Sequence, residues 1–500
     1  MMPLSHTVLP DVLHSAAQVR DLDARLIAAG TPGLALMERA ADACWQALRE
    51  RWPDANEVTV LAGNGNNGGD GFLIAALARQ AGWPVTLYTL TGADEPRGDA
   101  AAALARAREA GVGARPWKPG ARLAGVIVDA LLGTGLSREV SGMHRQAIEA
   151  INTCGLPVLA VDIPSGLNAD TGHVMGCAVQ ADLTLTFIGL KLGLFTGEAA
   201  AHVGQLLFAS LGADSASGGE AAGQATLLRP GNLPQPEPRR ATAHKGQFGR
   251  VLVVGGEHGT GGAALMAAEA ALRSGAGMVS LATRAEHVAP ALTRLPEVMT
   301  TAVASANQLP ALLSAASVLV AGPGLGTGAW GRSLLSVVAG QPKAQVWDAD
   351  ALNLLAEKAV QLPPGAVLTP HPGEAARLLG LSVKEVQADR PGAVRALART
   401  YQAVCVLKGA GSLIAAPEGR LAVCNHGHPA MATAGLGDVL SGLIGALLAQ
   451  HMPAFEAACL GVWLHARAGE VEGARGRGLA AVDLIPTIRR LLEEVAPCKA

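Results

Sequence analysis

Short apolar runs rich in Val, Ile and Leu alternate with Ala/Leu-rich helical stretches along most of the chain. This alternation predicts a parallel β-sheet wrapped by helices, an α/β protein. In the first half the predicted strands are 58–62, 84–88, 125–130, 157–162 and 183–188, with helical stretches such as 72–80 and 100–110 between them. In the second half they are 251–255, 278–282, 318–321, 345–348, 366–369 and 403–407. Between the halves, residues 212–226 read GADSASGGEAAGQAT, with no large apolar residue, and lead into the proline-rich LRPGNLPQPEPRR. A stretch that cannot bury a core is a linker. The expected organisation is therefore a domain over 1–213, a linker over 214–227 and a second domain over 228–500. The length of 500 residues, more than one hydrophobic core usually holds, agrees with this division. The halves share an architecture but not their glycine-rich motifs, so no internal repeat is read.

Composition narrows the function classes. Lys+Arg 39 against Asp+Glu 41 leaves a formal charge of −2, and aromatics are 3%. A nucleic-acid or anionic-membrane binder would show a basic excess, and single-strand binding would need stacking platforms, so neither partner is expected. The long uncharged window 298–331 is broken by Asn307, Gln308, Pro310 and Pro323, so no membrane span is expected either. Seven scattered cysteines without a C-x-x-C pair suit a reducing compartment. The amino terminus lacks a basic region and carries Pro10 and Asp11 where a signal peptide is apolar. A cytoplasmic protein is expected, with a symmetric homo-oligomer anticipated on general frequency alone.

The strand at 58–62 runs into Gly63-Asn64-Gly65-Asn66-Asn67-Gly68-Gly69-Asp70-Gly71. This contains G-x-G-x-x-G between strand and helix, where glycines let the backbone approach a pyrophosphate. A dinucleotide-binding dehydrogenase would also carry an acid at the end of the next strand. Here that strand ends Tyr88-Thr89-Leu90-Thr91, so the dehydrogenase reading lacks its ribose partner. Three Asn and one Asp make the loop more polar than a phosphate cradle requires, pointing to a polar group or a cation. Two further strand ends, VDALLGTG from Val128 and VDIPSGL from Val161, put Asp129 and Asp162 where open α/β sheets bind ligands. Either aspartate by itself also serves as a turn or helix cap.

GNGNNGGDG, VDALLGTG and VDIPSGL, in that order, resemble the NAD(P)H-hydrate epimerase domain, which implies a Rossmann-like three-layer fold. By that resemblance Asn66, Asn67, Gly68, Gly69 and Asp70, with Gly133, Thr134, Gly135, Leu136, Ser137, Arg138 and Glu139, would contact the hydrated dinucleotide, NADHX or NADPHX. Asn67, Asp129 and Ser165 would hold K+, and Asp162 would lie at the substrate as candidate acid/base. A carboxylate suits inversion of a hydroxyl-bearing ring carbon, which moves a proton to and from oxygen. The same fold also occurs as a protein-binding module.

In the second half, HKGQFGR leads into VLVVGG and then Gly259-Thr260-Gly261-Gly262-Ala263. The strand at 318–321 ends in Gly322-Pro323-Gly324-Leu325-Gly326, and DADALN (348–353, after Trp347), TPHPGE (369–374) and KGAGS (408–412) follow. The clearest signal is AGLGDVLSG, 434–442, opening an apolar helix to about Ala449. N–H groups at a glycine-rich helix start bind anions, and Asp438 in the first turn is placed to take a hydroxyl proton during phosphoryl transfer. An acid there also simply complements the helix dipole. His371, Lys408 and the pair Asp348 and Asp350 each have bland readings as well, respectively a structural ring, a solvated cation and strand-end caps; the aspartate pair alternatively suits hydrated Mg2+.

Together HKGxxGRVLVVGG, GPGLG, DADALN, TPHPGE, KGAGS and AGLGDVLSG closely resemble the NAD(P)H-hydrate dehydratase domain, a ribokinase-like fold. The resemblance implies that Ala263, Gly324, His371 and Asp438 contact the hydrated dinucleotide, with Asp438 catalytic. Lys408, Gly409, Ala410, Gly411, Ser412 and Gly437 would bind the adenine nucleotide, with ADP as phosphoryl donor and Mg2+ as cofactor. In HPAMATA, 428–434, glycine would be expected in place of Ala430 and Ala434. The competing readings are a ribokinase-fold kinase of a small alcohol or vitamin precursor and a non-catalytic binding module in the first half.

Overall fold

The computed structural model describes residues 9–90, 95–213 and 223–499. It divides into two compact units, Met1–Thr226 and Leu227–Ala500, both α/β. Residues 214–222 of the expected linker lie outside the described residues, as do residues 1–8 and Thr91.

The first unit opens with β1 (Val12–His14), α1 (Ala16–Ala28) and α2 (Gly33–Arg51). Then come β2 (Val58–Ala62), α3 (Asn66–Gln80), β3 (Val85–Thr89), α4 (Asp99–Glu109), β4 (Ala114–Pro116), β5 (Val126–Ala130) and α5 (Gly142–Thr153). β6 (Val158–Val161), β7 (Leu183–Phe187), β8 (Leu190–Lys191) and β9 (Gln205–Ala209) follow, and β10 (Ala225–Leu227), in the last residues of the expected linker, ends one residue past the unit's boundary. Seven strands form a parallel sheet in the order β4-β3-β2-β5-β6-β7-β9. β2 and β5 are buried along their whole length, as expected of central parallel strands covered on both faces. One face packs on α2, α3 and α4 and the other on α5. Strand order reverses between β2 and β5, and a crevice opens there beyond the carboxyl ends. β1 lies outside this sheet, pairing in parallel with β8, His14 opposite Lys191, and antiparallel with β10.

Asn66 to Gly71 are not loop: α3 starts at Asn66, six residues before the predicted 72–80. Gly71 serves close packing of this helix on the sheet, since a β-carbon there would press on Ala130 and Val60.

The second unit contains β11 (Arg250–Val254), α6 (Gly261–Arg273), β12 (Met278–Thr283), α7 (Val288–Arg294), β13 (Met299–Ala302), α8 (Pro310–Ala315), β14 (Val318–Ala321) and α9 (Ala329–Ala339). It continues with β15 (Ala344–Trp347), α10 (Asp350–Ala356), β16 (Val367–Leu368), α11 (Pro372–Leu379), α12 (Val383–Ala388), α13 (Arg390–Tyr401), β17 (Val404–Leu407) and β18 (Ser412–Ala415). β19 (Leu421–Cys424), α14 (Leu436–Ala449), α15 (Ala454–Gly473) and α16 (Leu484–Val495) close it. Strands run β13-β12-β11-β14-β15-β16-β17-β18-β19, parallel through β17 and antiparallel in the last two pairings. Period-two side chains, such as Val251 and Val253, Val318 and Val320, and Val404 and Val406, share one cluster with α6, α14, α15 and α16. The apolar run after Asp438 is thus a core helix, and no helix among the described residues is long and apolar enough to cross a membrane.

Candidate functional site

The first unit holds a cleft of about 700 Å³ at the β2/β5 switch. Of the residues expected at a ligand, Asn66, Asn67, Gly68, Asp70, Gly133, Thr134, Gly135, Leu136, Ser137, Arg138 and Asp162 line it. Gly69 and Glu139 are not among its walls: Gly69 is buried against Met37, and Glu139 is exposed beyond the loop.

Asp162 directly follows β6 and sits in the left-handed region, φ +67°, a conformation that is uncommon outside glycine and best tolerated by Asn and Asp. Its Oδ1 accepts from Lys191 Nζ, from Thr186 Oγ1 at 3.1 Å and from the Phe187 N–H at 3.2 Å. Lys191 is fully buried and donates further to Thr186 Oγ1 at 2.9 Å and the Phe187 carbonyl at 3.0 Å. All three ammonium protons are therefore placed, while Asp162 Oδ2 accepts no hydrogen bond among the described residues. Both side chains line the cleft. Beside them, burial first and then the charges of Asp162 and Asp23 push the Asp70 carboxyl well above the usual carboxylate range. The sequence signal for Lys191 is slight, one lysine inside the apolar run 187–195.

Asp129 and Ser165 sit out of the cleft, both fully buried. Ser165 Oγ donates to Asp129 Oδ1 at 2.6 Å and its N–H to Oδ2 at 2.8 Å. Burial pushes Asp129 up to about 6, with hydrogen bonds from Ser165 and Leu131 opposing. The loop after Asp129 joins this pair to Asn67: the Leu132 N–H donates to Ser165 Oγ at 2.8 Å, and a β-carbon at Gly133 would stand 3.1 Å from Asn67 Cβ. Both polar atoms of the Asn67 amide are buried without a hydrogen-bond partner. An orphaned amide, joined through this loop to a buried carboxylate that forms no ion pair among the described residues, fits an oxygen-ligated monovalent cation, since buried charges are normally paired or bind metals. Among the described residues no three His, Cys, Asp or Glu side chains gather as a metal cage.

In the second unit, the ends of β15, β16 and β17 and the start of α14 converge on Lys408. Its Nζ lies 2.8 Å from Asp348 Oδ1 and 3.9 Å from Glu374 Oε2. A β-carbon at Gly437 would stand 3.1 Å from that Nζ and 3.3 Å from Asp348 Oδ2, so the α14 amino terminus covers the pair. Asp438 follows in the first turn. Burial first, then Asp348, pushes its carboxyl up to about 7 against the pull of Lys408. Burial likewise raises Glu374 to about 7. The Lys408 ammonium is opposed by burial, yet Asp348 and Glu374 raise it above its ordinary value.

His371 has a structural duty. Its Nδ1 accepts from the Gly373 N–H at 2.9 Å, and Glu374 Oε2 accepts from the His371 N–H at 2.8 Å, a reciprocal cap on α11. The ring is half-exposed, and its far nitrogen, Nε2, lies 3.5 Å from Glu374 Oε1. Ala263 and Gly324 come together around Thr260, whose carbonyl accepts from the Ala263 N–H and whose hydroxyl donates to the Gly324 carbonyl at 2.8 Å. Asp348 and Asp350 are both engaged, the first by Lys408 and the second by the Gly326 N–H at 2.8 Å. These two carboxylates therefore do not stand together as a free pair. Ser412 begins β18 and donates to the Gly409 carbonyl at 2.9 Å. The methyl at Ala434 is exposed and that at Ala430 rests partly buried on the core.

Two α/β units, each holding a lysine–aspartate pair beside the carboxyl ends of its parallel strands, define an enzyme with two sites. Residues 33–193 match the family model described as YjeF-related protein N-terminus, and residues 251–490 that described as NAD(P)H-hydrate dehydratase. The chain is 46% identical to a bifunctional NAD(P)H-hydrate repair enzyme of Coxiella burnetii over 485 residues, 96% of this chain and 99% of that protein. It is 45% identical to the enzyme so named in Escherichia coli, over 91% of this chain and 89% of that protein. A solved ribokinase-like superfamily protein of Enterococcus faecalis, 28% identical, covers 54% of this chain and 96% of its own with a TM-score of 0.51. The chain belongs to the family of bifunctional NAD(P)H-hydrate repair enzymes.

Proposed function

We propose that the first unit interconverts the R and S epimers of NADHX and NADPHX, and that the second converts the S epimer to NAD(P)H at the expense of ADP, releasing AMP and phosphate. The observation that carries this reading is the pairing of two differently built carboxylates: Asp162 locked on a buried lysine beside a dinucleotide-sized cleft, and Asp438 at a helix amino terminus over Lys408.

In the first unit Asn66, Asn67, Gly68, Asp70 and residues 133–138 line the cleft for the hydrated dinucleotide. Inversion breaks the bond from ring carbon to hydroxyl and remakes it on the other face. The Asp162–Lys191 pair holds the proton that departs with the hydroxyl as water, and Asp162 Oδ2 takes one back when water returns. Asn67, Asp129 and Ser165 would hold K+, which would supply positive charge to offset the buried Asp129 carboxylate. Replacing tetramethylammonium with K+ is expected to raise the unfolding temperature of the wild-type chain, and Asn67→Ala to abolish that rise; a rise retained in Asn67→Ala contradicts the assignment.

In the second unit Ala263, Gly324 and the half-exposed ring of His371 would meet the dinucleotide, while Lys408, Gly409, Ala410, Gly411, Ser412 and Gly437 would meet ADP. Asp438 takes the proton of the ring hydroxyl as its oxygen attacks the β-phosphorus and AMP leaves. The phosphate ester then loses phosphate from one carbon and a proton from its neighbour, giving the double bond of the reduced ring. Any Mg2+ would arrive on the nucleotide phosphates. Product analysis tests this: one AMP and one free phosphate are expected per NAD(P)H formed. A stable phosphorylated product without NAD(P)H would instead establish a small-alcohol-type kinase.

A further inference from the structure

Arg390, the first residue of α13, is buried to 1% exposure beneath the 408–412 turn. Burial pulls its guanidinium down to about 10, so it stays a cation at neutral pH. Its Nη2 donates to the Leu407 and Lys408 carbonyls, each at 3.3 Å, and its Nη1 to Gln387 Oε1 at 2.8 Å. It thereby draws two successive carbonyls inward at the end of β17. The next residue, Gly409, has φ +139°, and a β-carbon on it would stand 3.0 to 3.3 Å from three guanidinium atoms. The guanidinium thus fills the space a side chain would take, in a backbone region that favours glycine. With the carbonyls turned in, Gly409 and Ala410 are exposed, and their N–H groups donate to no group among the described residues. Free successive N–H groups in a turn form an anion-binding concavity.

We propose that Arg390 is a positioning residue for phosphoryl-donor binding: from inside the fold it fixes the Leu407–Lys408–Gly409 backbone, so that two N–H groups and Lys408 meet the nucleotide phosphates as a preformed nest. This rests on the reading of 408–412 as the nucleotide turn. A lysine cannot reproduce the fork that grips two carbonyls at once, so charge is retained in Arg390→Lys while the preorganisation is lost.

The test is steady-state kinetics of dehydration with the full chain, varying ADP and S-NADHX separately, alongside epimerisation as a measure of correctly folded protein. Arg390→Lys is expected to raise KM for ADP on the order of tenfold or more, the effect of losing charge-assisted hydrogen bonds that fix the turn, with KM for S-NADHX and epimerisation unchanged. Gly409→Ala, which pushes a methyl onto the guanidinium, should show the same split. Should Arg390→Lys not fold, Gly409→Ala decides. Unchanged KM for ADP in Arg390→Lys, or in Gly409→Ala where that variant decides, overturns the proposal. Lys408→Met separates the two levels: if it raises KM for ADP while both other variants do not, only the role of Arg390 fails. If Lys408→Met also leaves KM for ADP unchanged, the nucleotide turn itself is misplaced.

Discussion

Asp438→Asn is expected to slow dehydration on the order of a hundred- to ten-thousandfold in kcat, the usual contribution of a positioned general base, with epimerisation intact. The carboxyl must be ionised to accept the hydroxyl proton, and burial with Asp348 beside it holds it at about 7. Dehydration should therefore rise with pH along a limb centred near 7 rather than near 4. Glu374, also at about 7, is one of the like charges raising Asp438, so Glu374→Gln should move the limb to lower pH. Stability should respond in the opposite sense. A carboxyl raised on folding favours the native state at low pH, and that contribution is lost as pH rises from about 4, the ordinary carboxylate value, through 7. Asp438→Asn removes a destabilising buried charge at pH 8, so the variant should melt higher than wild type there and lose that advantage below about pH 5. A residue that only complemented the helix dipole would behave otherwise: its loss would cost about 0.3–1 kcal/mol of stability and leave kcat nearly unchanged. Measuring kcat and melting temperature across pH distinguishes the two.

The second large effect is expected at Asp162. Asp162→Asn should reduce epimerisation on the order of a hundred- to ten-thousandfold while S-NADHX is still dehydrated at the wild-type rate. Asparagine is the informative replacement because position 162 has φ +67°, which Asn tolerates and alanine strains against. Lys191→Met removes the other half of the pair and leaves Asp162 Oδ1 without its main donor. Losing one partner of a buried pair typically costs about 3–5 kcal/mol, so this variant should lose stability as well as epimerisation. Following each epimer by chromatography checks both. An Asp162→Asn chain that still equilibrates R and S at the wild-type rate would place the acid/base elsewhere in the cleft.

The fold was largely legible from hydrophobic patterning because central parallel strands are continuous apolar runs: β2, β5, β11, β14 and β17 fall within a residue of their predicted bounds at one or both ends. Edge strands were not. β13, Met299–Ala302, is mostly exposed and mixes Thr with Ala, so its sequence carries no burial signal. α3 began six residues early because glycines that weaken an isolated helix are here required by packing against β2 and β5. The site was legible where chemistry is contiguous, as in residues 63–71 and 434–442. It was illegible where partners meet only in space. Lys191 stands 29 residues from Asp162, and Arg390 lies outside every glycine motif, though each holds the residue that a motif displays. The Asp348 and Asp350 pair shows the converse, since adjacency suggested a shared metal and the fold gives each a different partner.

The central claim is that one chain carries both activities, and its most direct test is recovery of reduced-nicotinamide absorbance from a mixture of both NADHX epimers. Purified protein, ADP and Mg2+ should convert the whole mixture after spontaneous epimerisation is subtracted. Conversion that stops once the S epimer is consumed would contradict the claim, leaving the second unit a dehydratase and the first a binding module.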